Sequence, residues 1–148
     1  MKKITFPVIA QLVLLAGLMS PSVVSGVAAE ELAMKTANGI SYVSGGFGID
    51  ERETLRTLSK DDNLELSFAL QNKEYIGGAN VLIRDDTGAA VLKTISDGPL
   101  FFAKLPPGKY TVEATAMGKT LKQVAHVESK GQTKLYFAWQ ESNPEGQA

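Results

Sequence analysis

Few residues in this chain could do chemistry. There is one imidazole, His126, and no cysteine. A metal site would need further His or Cys ligands, and proton transfer would need a nucleophile and an orienting group. His126 has none of these nearby. Within residues 121–127 it shares a strand face with Lys122 and Val124, the setting of an exposed or edge histidine. Thiol nucleophiles and thiolate metal ligands are absent altogether. The acidic clusters Asp61-Asp62-Asn63 and Asp85-Asp86 offer oxygens to a cation, but neither has the ligand spacing and closing Glu of a calcium loop. They read as turn and Asx chemistry. Gly45-Gly46-Phe47-Gly48 precedes a helix start, a position that attracts anions. No Gly-Lys-Ser/Thr follows, and Asp50 and Glu51 already occupy the positive end, so the loop reads as a bend. No cofactor and no metal are expected. That leaves the aromatic residues as recognition elements. Phe101 and Phe102 are adjacent, so on a strand one must point away from the core, while Tyr42, Phe47 and Tyr75 lie in or beside loops. Exposed rings of this kind bind sugars or a protein partner.

The elements that must position these groups follow from hydrophobic period. Met1-Lys2-Lys3 leads into an apolar run from Ile4 to Met19, about 16 residues, short of the roughly 20 needed to span a bilayer. Pro21 then loosens the chain before Val27-Ala28-Ala29, whose small residues suit a signal peptidase. Residues 1–29 are expected to be a secretory signal peptide cleaved between Ala29 and Glu30, leaving no membrane span. Loss of Lys2 and Lys3 moves the formal net charge from −1 to −3. A mildly acidic, mixed surface argues against nucleic acid as a partner.

Residues 30–63 read as a leader, with at most a short strand near Ile40–Val43, the Gly-rich loop and a helix of about ten residues. Asp50 and Glu53 have capping-box spacing, and Leu55 and Leu58 form the inward edge. From Leu64 the period changes to two: Leu64, Leu66, Phe68 and Leu70 alternate with Glu65, Ser67, Ala69 and Gln71. Further runs at 81–83, 91–96, 100–105, 110–116, 121–127 and 135–139 are separated by Gly, Pro and Asp turns. This spacing predicts an all-β, antiparallel, seven-stranded sandwich over residues 64–139 with one short helix before it. Residues 140–148 read as a disordered polar tail.

One stretch is more specific. Ser96 to Ala114, with Leu105-Pro106-Pro107-Gly108-Lys109-Tyr110-Thr111-Val112 at its centre, resembles the hairpin of carboxypeptidase regulatory-like domains. The resemblance spans about residues 64–139 and implies a transthyretin-like Greek-key sandwich. In that family the sandwich is usually an accessory module, and the whole chain is similar to small periplasmic proteins that carry one such domain. The related transthyretin-like hydrolases of purine breakdown use two histidines, an arginine and a Tyr-Arg-Gly-Ser C-terminus. This chain has His126 alone and ends Glu145-Gly146-Gln147-Ala148, so that activity is not implied. Collagen-adhesin repeats that form an internal Lys–Asn bond place a Glu four residues after the hairpin Tyr. That position is Ala114 here, and Glu113 falls on the opposite face.

The expectation is therefore a non-enzymatic exported module, a periplasmic binding or structural protein of the cell envelope that works with an envelope protein. A carbohydrate-binding domain and a carboxylate-based hydrolase are the alternatives, and release beyond the cell, which begins with the same export signal, is the alternative to the periplasm.

Overall fold

The computed structural model describes residues 32–141. The expected signal peptide and its Ala29–Glu30 cleavage site lie outside the described residues, as does the tail from 142 onward. Two sheets face each other. One has the order β1 (Lys35–Ala37), β2 (Ile40–Gly45), β6 (Leu100–Lys104), β3 (Leu64–Leu70), β9 (Thr133–Trp139). The other has the order β5 (Ala90–Ile95), β4 (Asn80–Arg84), β7 (Gly108–Ala116), β8 (Lys119–Val127). The single described helix, α1 (Ile49–Leu58), joins β2 to β3. Among the described residues no helix is long and apolar enough to cross a membrane.

Alternation builds the core. Leu64, Leu66 and Phe68 of β3 point inward with Phe101, Phe137 and Trp139 from the same sheet. Val81, Ile83, Leu92, Val112, Ala114 and Ala125 meet them from the other sheet. Phe68, Phe137 and Trp139 form a ring cluster with centroids 5.9 to 6.3 Å apart, spacing that favours tilted aromatic contacts.

Four expectations need correction. The leader, expected to hold at most a short strand, contributes β1 and β2 beside β6, so the described residues hold nine strands, seven of them within residues 64–139. It is not wholly antiparallel, because β9 runs parallel to β3, with Leu64 opposite Thr133 and Leu70 opposite Trp139. The turn after β8 carries the chain across to the first sheet at the end where β3 begins, and Thr133 N–H bonds to Asn63 C=O at 2.9 Å. The Leu-Pro-Pro-Gly stretch is no hairpin either: β6 and β7 lie in different sheets. Pro106 and Pro107 have no N–H to offer a ladder, and Tyr110 Oη donates to Pro106 C=O at 2.6 Å as the chain crosses over. The hairpin in this part of the chain is β7–β8, turned at Met117 and Gly118, both with positive φ, as a two-residue primed turn requires.

The fourth correction concerns α1. Gly48, not Asp50, occupies the N-cap, and no side chain caps it. Glu51 instead reaches back to accept the N–H groups of Gly46 (2.8 Å) and Phe47 (3.1 Å). Only Leu55 of the helix is buried, and Leu58 sits at the rim. Leu55 packs with Val43, Leu100 and Phe102 to form a small second core on the outer face of the five-stranded sheet.

Side chains close both open sides of the sandwich. Trp139 Nε1 donates to Lys119 C=O (2.9 Å) and Thr133 Oγ1 to His126 C=O (2.8 Å) on one side. Asn38 Nδ2 donates to Val91 C=O (3.1 Å) on the other. These bonds satisfy groups that edge strands would otherwise leave open to pairing.

Candidate functional site

The loops after β2, β3 and β5 meet at one end of the sandwich, where α1 starts. Contact there is backbone to backbone: a Cβ on Gly98 would stand 2.5 Å from the carbonyl carbon and oxygen of Gly45. Ser44 Oγ accepts the Asp97 N–H at 2.8 Å, and Ser96 Oγ, fully buried, donates to Gly98 C=O at 2.7 Å. The loops are therefore held by bonds that leave little slack.

Two aromatic rings stand out from this corner. Phe47 is 57% exposed and Tyr75 48% exposed. The Phe47 ring lies against Gly77, so closely that a Cβ there would come within 2.8 Å of its Cε2. Arg52, from the first turns of α1, donates through Nε to Gly46 C=O at 2.7 Å and sets its guanidinium 4.8 Å from the centre of the Tyr75 ring, a cation–π contact. Asn72 Oδ1 accepts the Glu74 N–H at 2.9 Å and shapes the loop that carries Tyr75. Ile49, 71% exposed at the start of α1, adds apolar surface nearby in sequence. The result is an aromatic corner in which Phe47 rests on Gly77 and Tyr75 on Arg52, contacts that restrict the rings and lower the ordering cost of any binding there.

The other aromatic candidates do not join it. Tyr42 stacks on Phe101 at 5.7 Å against the main core. Phe101 and Phe102 do point to opposite faces, but neither meets solvent: Phe101 is in the sandwich core and Phe102 under α1. Arg52, which fixes the corner, carries no signal of its own in the sequence, because nothing local places it beside Tyr75.

His126 is exposed on β8, opposite Lys109 of β7. Asp85 forms an Asx turn, accepting from Thr87 N–H and Oγ1 and from Ala89 N–H. Those bonds, the Thr87 hydroxyl first, hold its carboxyl below the ordinary range. No group of three or more His, Cys, Asp or Glu able to hold a metal occurs among the described residues.

The far end of α1 is different. Asn63 is buried there and ties three segments: its Nδ2 donates to Leu105 C=O (2.8 Å) and Glu128 C=O (3.0 Å), and its Oδ1 accepts from Leu105 N–H (2.9 Å). Asp62 beside it is 7% exposed, and its Oδ2 has no hydrogen-bond partner. Burial pushes this carboxyl up to about 6 from 3.8; Lys104 opposes the rise and Asp61 adds to it. A carboxyl raised in the folded state is penalised when it ionises. The penalty is absent below about pH 4, grows as pH rises towards 6, and is complete above 6. Asp62→Asn should therefore stabilise the protein at pH 7.5 by on the order of 1 kcal/mol, after allowance for solvent screening. At pH 4 it should have little effect. Thermal unfolding at the two pH values checks this, and an equal change at both would contradict it.

No family model matches the chain, and no curated protein does.

Proposed function

We propose that this chain is a non-enzymatic accessory module exported to the cell envelope, and that it docks an envelope protein through the corner built by Phe47 and Tyr75. The single observation that carries the reading is that corner: two rings left about half exposed yet resting on Gly77 and Arg52. Elsewhere the fold buries or half-buries the aromatic residues that the sequence offers as binding candidates. Aromatic residues and arginine are the side chains that most often dominate binding energy at interfaces.

The transthyretin-like reading belongs to the same proposal. Seven strands, β3 to β9, fall within residues 64–139, and the chain passes between the sheets after β3, β5, β6 and β8. Such crossings support a Greek-key path, with β1, β2 and α1 as additions to its first sheet. The apolar run at residues 4–19 and the small residues at 27–29 support export to the periplasm.

Photo-crosslinking in living cells tests the docking. A crosslinking phenylalanine analogue at position 47 or 75 should trap the same envelope protein, while one at Val124, exposed on β8, should not. Phe47→Ser with Tyr75→Ser should weaken capture of that partner about thirtyfold and shift the thermal midpoint by only a few degrees. No adduct at either position, or the same adduct from position 124, would end the proposal.

A further inference from the structure

Between the end of α1 and the turn before β9 lies a cleft of about 540 Å³, within the usual range for small-molecule sites. Its charges are sorted. The floor is buried or half-buried: Ser59, Asp62, Glu65 and Phe102. The rim is exposed and cationic, with Arg56 from α1, Lys60 from the turn after it, Lys104 from β6, Lys130 from the turn after β8, and Lys134 from β9.

Few of these charges satisfy one another. Lys134 lies 3.8 Å from Glu65, and among the described residues that is the one ion pair found in the cleft. Asp62, nine-tenths buried on the floor, keeps an oxygen with no donor. A buried acceptor without a partner is costly in a folded protein. That oxygen is closed to water, but it belongs to a residue that lines the cleft.

A simple anion would fit the rim and repel the floor. A simple cation would fit the floor and meet five positive side chains on its way in. A molecule carrying both charges satisfies both surfaces. We propose that the cleft binds a primary amine that also carries a phosphate, with the ammonium seated against Asp62 and Glu65 and the phosphate held among the rim cations. Phosphate suits the rim better than a single carboxylate. The lining holds five cations against the three carboxylates of Asp61, Asp62 and Glu65, so an excess of positive charge remains for a dianion. Arg56 adds a planar fork that matches phosphate oxygens. The same chemistry occurs in soluble aminoalkyl phosphates and in the headgroup of an aminophospholipid.

The charges facing Asp62 give a direct readout. An ammonium beside the carboxyl favours its ionised form, whereas a phosphate alone does the opposite. With the carboxylates ¹³C-labelled, the Asp62 signal should titrate near 6 in the free protein. Saturation with O-phosphoethanolamine should move that midpoint down by about one unit, equivalent to tenfold tighter binding to the ionised form. Ethyl phosphate should leave it in place or raise it. At pH 7.5, Asp62→Asn should cost O-phosphoethanolamine about tenfold in affinity and leave ethyl phosphate unaffected or bound more tightly. Lys130→Ala with Lys134→Ala should weaken both probes.

Vesicles separate the two sources of ligand. Retention on phosphatidylethanolamine vesicles but not on phosphatidylcholine vesicles identifies a membrane headgroup; binding of O-phosphoethanolamine without retention identifies a free ligand. The proposal is overturned if O-phosphoethanolamine binds no more tightly than ethyl phosphate, or if the Asp62 midpoint fails to fall when it is bound.

Discussion

Alanine at position 98 is expected to lower stability by about 3 kcal/mol, the upper end of the usual cost of overpacking, and the thermal midpoint by roughly 15 °C. The new Cβ would lie 2.5 Å from the carbonyl carbon and oxygen of Gly45 and 2.7 Å from its Cα. Those atoms are backbone, so no rotamer change can relieve the contact. Either β2 or the turn entering β6 must move. Both are anchored, β2 by its ladder to β6 and the turn by the Ser44 and Ser96 hydroxyls. Gly48→Ala is the control: its Cβ would enter open space and its φ is −101°, so its effect should stay under about 1 kcal/mol. Urea titration of both variants decides the matter. Equal midpoints would mean that the loops at the aromatic corner are looser than their contacts indicate.

Trp139→Ala should be costlier still, at about 3–5 kcal/mol. The indole is 2% exposed, packs with Phe68 and Phe137, and donates from Nε1 to Lys119 C=O. Its removal opens a cavity in the main core and breaks one of the bonds that tie β8 to β9. Trp139→Phe separates these losses, since it keeps most of the volume but removes the donor; about 1–2 kcal/mol is expected. Chemical denaturation followed by far-ultraviolet circular dichroism measures both. A Trp139→Ala protein as stable as Trp139→Phe would show that the cavity collapses without penalty.

The parts of the fold that could be read from the sequence are those set by neighbours along the chain. Leu64, Leu66 and Phe68 declare a two-residue period, and the strand they predict is β3. The turn at Asp85–Gly88 likewise carries its own chemistry, and Gly118 marks the turn after β7. What stayed hidden depends on partners distant in sequence. Phe101 and Phe102 show why: alternation correctly sends them to opposite faces, but only the three-dimensional path of α1 reveals that both faces are covered. The helix start departs from the capping-box spacing because Glu51 is bound to the loop before it rather than to a local cap. The direction of β9 depends on which end of β3 the preceding turn reaches.

Phe47 and Tyr75 were visible as aromatic residues in loops, while their shared corner was not, since it needs Gly77 and Arg52 to hold them. The cleft was less legible still. Its cations come from three separate stretches of the chain, 56–60, 104 and 130–134, and Asp62 reads as an ordinary turn residue.

The parallel ladder between β3 and β9 has a consequence for the order of events during synthesis. The strand at residue 64 waits for its neighbour until residue 139 exists. Until then one flank of β3 is bare, and Phe68 lacks both rings that pack on it. Closing such a distant pair is entropically slow. A ribosome-bound nascent chain that stops short of its final strand therefore has no finished interior to lock it shut, and remains pliable until the last moment.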